Sequence, residues 1–407
     1  MKKAWLMVVI AILTGLVFTM GLFKIPPIMV LLMQDYKVGI AVIGLVMTAF
    51  ALSSTIIALP GGAIIQKVGV KNAGLLSVAF ALVGNILGVI SGSFTMLVIS
   101  RLIEGLGYGL ISIVIPAIIA MWFPAEKRGF PMGIFTLWVS IGMLIILNLT
   151  NIIVPGYGWR GSFWLITALL VLMGIIFALV IRVPKEGEGA NEPKSLQPLE
   201  KFSVWEGFKS PGAWLLGLIF FAYSWPSVGY SGFYPTYLTT FLGLDLVTAN
   251  KVTSFGTWGM IVGGVLVGLV LNRIKNKNHS TFLITIMALS TVFFFFLFRF
   301  SSVSAIVPFI LIFGIVNQFV PPALFTMAPG TATRPETVAA TMGIINLGAN
   351  LGGIVGNTFT GPMVQSFGGD WSKLSLFMLV IALVGVAASI VLKLVTAKRA
   401  KAIHESL

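Results

Sequence analysis

Twelve apolar runs separated by short polar breaks make up most of the chain. They are 5–33, 41–61, 73–92, 95–122, 130–154 and 161–182, then 212–240, 249–272, 281–298, 303–328, 337–361 and 373–396. A helix of about 20 apolar residues crosses the hydrocarbon of a bilayer. Within each run the apolar residues are continuous, whereas the strands of a membrane barrel alternate. Only helices and closed barrels satisfy their backbone groups in lipid, so the pattern predicts an all-α polytopic membrane protein. The runs are numbered here as spans 1 to 12. The first begins within MKKAWLMVVIAILTG, is longer than the apolar core of a signal peptide and lacks an A-x-A-type site. It is expected to stay as an uncleaved span.

The longest polar break, RVPKEGEGANEPKSLQPLEKFSVWEGFKSP (182–211), has the Gly, Pro, Glu and Lys content of a solvated linker. Phe202, Trp205 and Phe208 would let its second part lie as a short amphipathic helix on the inner membrane surface. The break divides the chain into a six-helix bundle at 1–182, a cytoplasmic linker at 183–211, a second bundle at 212–396 and a tail at 397–407. The halves echo one another. GFPMGIFTLWVSIG (129–142) matches AATMGIINLGANLG (339–352), and GYGWRGSFWLITALL (156–170) matches FGGDWSKLSLFMLVIAL (367–383). GAIIQKVGVKN (62–72) matches GLVLNRIKNKN (268–278). Three echoes in one order at nearly one offset support a duplicated six-span unit. Secondary transporters are commonly built this way, with a mid-membrane site between the repeats.

Composition agrees. The chain is 57% hydrophobic and 9% charged, against about 25% charged in soluble domains. Its net charge of +14 does not read as a nucleic-acid footprint, because the basic residues sit in short loops between spans. With the N-terminus inside, 19 Lys and Arg fall in inner loops and only Lys37, Arg160, Lys251, Arg299 and Lys373 in outer ones. That bias predicts cytoplasmic N- and C-termini in the inner membrane. There is no cysteine, which excludes disulfides and thiolate metal sites. His279 and His404 form no metal cluster, and neither a nucleotide loop nor a nucleophile–base set is present. No cofactor and no enzymatic activity are expected.

Lys24, Arg101 and Glu104 are the charges well inside spans. A charged side chain at the bilayer centre costs roughly 2.5–3.5 kcal/mol on insertion scales, so each needs a partner or a task. Glu104 follows Arg101 by three residues and shares its helix face. The trio sums to +1, and a bound anion would complete the balance. Lys24 and Arg101 are therefore candidate substrate-binding residues, and Glu104 is the carboxylate available for proton coupling. In the alternative, Lys24 snorkels outward while Arg101 and Glu104 form a structural pair. Tyr108 in span 4 and, in the second half, Tyr223, Tyr230, Tyr234, Trp258, Asn317, Gln318, Asn346 and Asn350 are candidates to orient the rest of a ligand; belt aromatics and packing amides are the alternative. Pro26 and Pro27 should kink span 1 just after Lys24. Gly105, Gly107, Gly109, Gly348, Gly352 and Gly353 should permit close helix packing.

Over essentially its whole length the sequence resembles the major facilitator superfamily of transporters. GAIIQKVGVK resembles that family's G-x-x-x-D-R-x-G-R-K loop, with Gly62, Lys67, Gly69 and Lys71 matching and Gln66 in the acidic place. The resemblance implies that these five residues form a gating loop. RLIEGLGYG (101–109), MWFPAEKRGFPMG (121–133) and YGWRGSF (157–163) resemble further motifs of the family, in order. The groups that handle anions look nearest. Lys24 lies about as far before Ile43-Gly44 as their span 1 arginine does, with Phe23 where an acidic residue often precedes it. YPTYLTTFLGL (234–244) resembles their span 7 exit, and LGANLGG (347–353) partly resembles the nitrate porters' signature, without its span 5 counterpart. The drug antiporters' G-P motif is absent at Ser140–Met143. The resemblance implies a monomeric secondary transporter of a small anion, an organic carboxylate before others, in the bilayer, with proton coupling, exchange and uniport all open. Drug efflux and a flux-free sensor of the same shape are the rival readings.

Overall fold

A computed structural model describes residues 2–124, 127–184, 209–274, 278–332 and 337–405; of Ala339 and residues 398–405 it gives the backbone alone. Most of the predicted linker and its proposed surface helix lie outside the described residues. The described chain is helical throughout. Among the described residues ten helices are long and apolar enough to cross a membrane, by length and composition. One of them, Gly129–Val180, contains spans 5 and 6. The helix Val338–Ser366 supplies span 11, which completes the twelve.

By their internal contacts the helices fall into two units. The first is Met1–Gln197 with Leu244–Lys251, and the second is Pro198–Gly243 with Val252–Leu407. In the first, span 1 is α1 (Lys2–Phe23), a single 3₁₀ turn (Pro26–Ile28) and α2 (Met29–Tyr36). Span 2 is α3 (Ile40–Ile43) and α4 (Leu45–Val68), span 3 is α5 (Val70–Val89) and span 4 is α6 (Phe94–Trp122). Span 5 is α7 (Gly129–Thr136) and the first part of α8 (Trp138–Val180). Span 6 is the rest of α8 beyond Gly158, whose φ of 62° breaks the helix. In the second, spans 7 to 9 are α9 (Pro211–Thr240), α10 (Leu246–Arg273) and α11 (His279–Phe296). Span 10 is α12 (Val303–Asn317) and α13 (Val320–Thr331), span 11 is α14 (Val338–Ser366) and span 12 is α15 (Trp371–Glu405).

Small residues set which helices touch. A side chain at Gly105 or Gly109 would run into the backbone of α4 at Phe50 and Ser54, and one at Gly107 into α5 at Ser77. In the second unit Gly348 lies against the backbone of Gly217, and Gly352 against Phe221. Spaced four apart, Gly348, Gly352 and Gly356 make one flat stripe on which α9 rests. Gly353 is looser, with only Val228 nearby.

Loops are closed by local hydrogen bonds. Gly69, at φ 82°, is the single-residue turn between α4 and α5, a conformation suited to glycine. Arg128 donates from Nε to the Phe123 carbonyl at 2.8 Å and from Nη2 to the Ala120 carbonyl at 2.8 Å, capping the end of α6. In the last turn of α2, Asp35 accepts from Trp159 Nε1 at 2.9 Å, and Arg160 reaches the carbonyls of Val89 and Ser91. Asp245 and Asp370 accept hydrogen bonds at the starts of α10 and α15. Those bonds, from Thr248 and Ser372 first of all, hold both carboxyls below their ordinary range.

Candidate functional site

Inside the first unit the three membrane charges come together. Lys24 Nζ donates to Glu104 Oε1 at 2.7 Å and to Asn85 Oδ1 at 2.6 Å. Its third face lies 3.8 Å from the centre of the Phe163 ring. Arg101 Nη1 donates to Glu104 Oε2, so one carboxylate bridges both cations. Asn85 Nδ2 donates to Glu104 Oε1 at 2.7 Å and to the Ala81 carbonyl at 2.9 Å. Lys24, Asn85 and Arg101 are 0% exposed and Glu104 3%. Neither cation lies on an open surface, so the snorkelling alternative fails for Lys24.

The helices are shaped for this cluster. Pro26 has no N–H to give the Leu22 carbonyl four residues back. Arg101 Nη2 donates to that carbonyl at 3.2 Å, and Nη1 to Gly21 O at 3.0 Å. The span 1 break thus exposes acceptors that a side chain from α6 uses. A side chain at Gly21 would collide with Glu104 Oε1, and one at Gly84 with the backbone of α6 at Glu104 and Ser100. These two glycines leave room for the carboxylate and bring α5 close enough for the short Asn85 side chain to reach it. Arg101 stacks 4.3 Å from the Phe50 ring, and its Nε is buried without a hydrogen-bond partner. Two cations and one carboxylate leave the cluster formally at +1.

The other candidates fall elsewhere. Tyr108 is half-buried in the first unit, stacked on Trp138 with centroids 5.6 Å apart. In the second unit the Tyr223 hydroxyl donates to the Asn317 carbonyl at 2.7 Å, and Ser227 Oγ lies 3.3 Å from Asn317 Oδ1. Tyr230 and Tyr234 have ring centroids 4.9 Å apart, and both hydroxyls are buried without a partner. Gln318 is half-buried between α12 and α13. Trp258 on α10 is exposed, as are Asn346 and Asn350, which share one face of α14; Asn346 gives its amide to the Met342 carbonyl. Gly62, Gln66, Lys67 and Gly69 are exposed and Lys71 half-exposed at the junction of α4 and α5. Among the described residues no three His, Cys, Asp or Glu gather to hold a metal ion.

Asn85, Phe163 and Ser227 are the residues that sequence reasoning missed. The available signal for Asn85 was a single amide deep in span 3, an otherwise apolar run.

The Major Facilitator Superfamily profile matches residues 8–357. A hexuronate transporter of Bacillus subtilis is 21% identical over 346 residues, which are 82% of this chain and 82% of that protein. A probable sulfoacetate transporter, SauU, of Cupriavidus necator is 24% identical over 263 residues, 61% of this chain and 60% of that one. In structure the chain is similar to a bacterial homologue of the human lysosomal transporter Spinster, solved inward-facing and unoccupied. The TM-score is 0.74 at 17% identity, over 97% of this chain and 96% of the other, a likeness of fold.

Proposed function

The chain belongs to the Major Facilitator Superfamily, and from that premise we propose that it carries a small organic anion, a carboxylate or sulfonate, across the inner membrane by alternating access. The observation that carries this reading is the dry cluster of Lys24, Arg101 and Glu104, with its positive excess. A buried uncompensated charge is costly, and an anion entering a low-dielectric bundle beside it gains what it loses in hydration. The names of the hexuronate and sulfoacetate carriers point the same way. In the described conformation both cations are spent on Glu104. Protonating that carboxylate frees them and raises the cluster to +2, so proton and anion would travel together. The protein would work as a monomer with both termini inside.

Uptake into liposomes holding purified protein tests this. D-Glucuronate and sulfoacetate should enter saturably, and glucose and tetraphenylphosphonium should not. Lys24→Ala should cut anion uptake at least about tenfold, the effect expected of a lost unit charge at close range, while the protein still elutes as a single species. Equal uptake by the variant and the wild type, or uptake of the neutral or cationic probe alone, sinks the reading.

A further inference from the structure

Asn85 touches both ends of the buried ion pair. Its oxygen accepts from Lys24 and its nitrogen donates to Glu104. The remaining N–H goes to Ala81 O, so the amide is fully satisfied. An aspartate there would also accept from Lys24, and it would bring the cluster to zero: two cations, two carboxylates. An amide completes the hydrogen bonds and adds no charge.

We propose that Asn85 is a specificity-determining residue that keeps the Lys24–Arg101–Glu104 cluster one positive charge in excess and thereby makes the carrier select anions. This rests on the anion-carrying function proposed above. Asn85 acts through the cluster's charge, as a positioning residue. The groups facing position 85 are few. Lys24 comes from the break after α1 and Glu104 from α6, with Arg101 on the other oxygen of Glu104. The residues that α8 and α4 press against the cluster's cations, Phe163 and Phe50, carry no charge.

The charge makes an ordering that a merely structural amide would not. Asn85→Ala and Asn85→Ser lose hydrogen bonds and keep the excess. Asn85→Asp keeps the shape and the bond to Lys24, sets a carboxylate oxygen where the amide donated to Glu104, and removes the excess when both carboxylates are ionised. Anion-dependent thermal stabilisation of the purified protein reads the difference, with D-glucuronate and sulfoacetate as probes and glucose and tetraphenylphosphonium as controls. At pH 7.5 the Ala and Ser variants should bind the anion that stabilises wild type within about threefold. The Asp variant should lose about tenfold or more. Two carboxylates in contact favour sharing a proton, which restores the excess, so the affinity of the Asp variant should rise towards wild type as pH falls from 7.5 to 5.5, more steeply than that of the Ala and Ser variants.

A wild type stabilised by neither anion overturns the anion reading and this inference with it. A wild type stabilised by an anion, with Ala and Asp variants equally impaired or the Asp variant indifferent to pH, overturns the role of Asn85 alone. So does an Asp variant that aggregates at both pH values while the Ala and Ser variants fold, because its protonated form is the amide's near-isostere.

Discussion

Glu104 has three donors on two oxygens, from Lys24, Asn85 and Arg101. Removing the charge of such a hub strands both cations in a dry bundle, and breaking a buried pair typically costs about 3–5 kcal/mol. Removing Lys24 strands no charge, since Arg101 and Glu104 remain as a neutral pair, and it leaves only the Asn85 oxygen without its donor. Thermal unfolding in detergent should therefore rank Glu104→Gln well below Lys24→Met, which should lose only the roughly 1–3 kcal/mol of one unpaired buried acceptor. The opposite order would show that Lys24, rather than the carboxylate, anchors the cluster. The three charges were legible in the sequence because a charge inside an apolar run is expensive and so conspicuous. Their mutual contacts were only half legible. The three-residue spacing announces Arg101 and Glu104, but Lys24 is 80 residues from Glu104, and only the packing of α1 on α6 joins them. The signal of Asn85 was not decisive for a related reason: an amide in a membrane helix is equally suited to packing.

Helices were legible as runs, and their interruptions only in part. Pro26 and Pro27 announced the break in span 1, and the break uncovers the carbonyls that Arg101 takes. The interruptions at Gly44, at Leu137 and at Gln318–Phe319 lie inside runs that read as continuous. Hydrophobicity cannot register them, because a kinked apolar helix is as apolar as a straight one. Glycines separate cleanly once neighbours are known. Gly348 rests on the backbone of Gly217, whereas Gly343, on the same helix, has nothing within 4 Å of where a side chain would begin. Gly348→Leu should lower thermal stability by about 3 kcal/mol or more, since the backbone it meets cannot yield. Gly343→Ala should be neutral or stabilise by up to about 1 kcal/mol through helix propensity. Equal tolerance at both positions would mean that α9 and α14 do not approach as closely as described.

The duplication read from three short echoes recurs in the way each unit packs. Gly142 and Gly352 occupy matching ends of one echo. Gly142 abuts α1 at Thr19 and Leu16, and Gly352 abuts α9 at Phe221, so span 5 meets span 1 as span 11 meets span 7. Likewise Gly105 and Gly109 seat span 4 on span 2, and Gly256 and Gly314 seat span 8 against span 10. The repeat therefore dictates the partner helices of both units, while among the described residues the charge cluster belongs to the first alone. Such a repeat of six spans returns the chain to the side it left, which makes the loop charges of both halves report one orientation. Their inner excess of Lys and Arg predicts that Asn72, after span 2, faces the cytoplasm and that Ser302, after span 9, faces outward. Both are exposed, and the chain has no cysteine of its own, so a single introduced thiol carries the whole signal. In intact cells a membrane-impermeant maleimide should label Ser302→Cys at once and Asn72→Cys only after permeabilisation. Labelling of Asn72→Cys in sealed cells would invert the topology, place Lys24 nearer the cytoplasmic end of its span, and require the anion to meet the cluster from the opposite side.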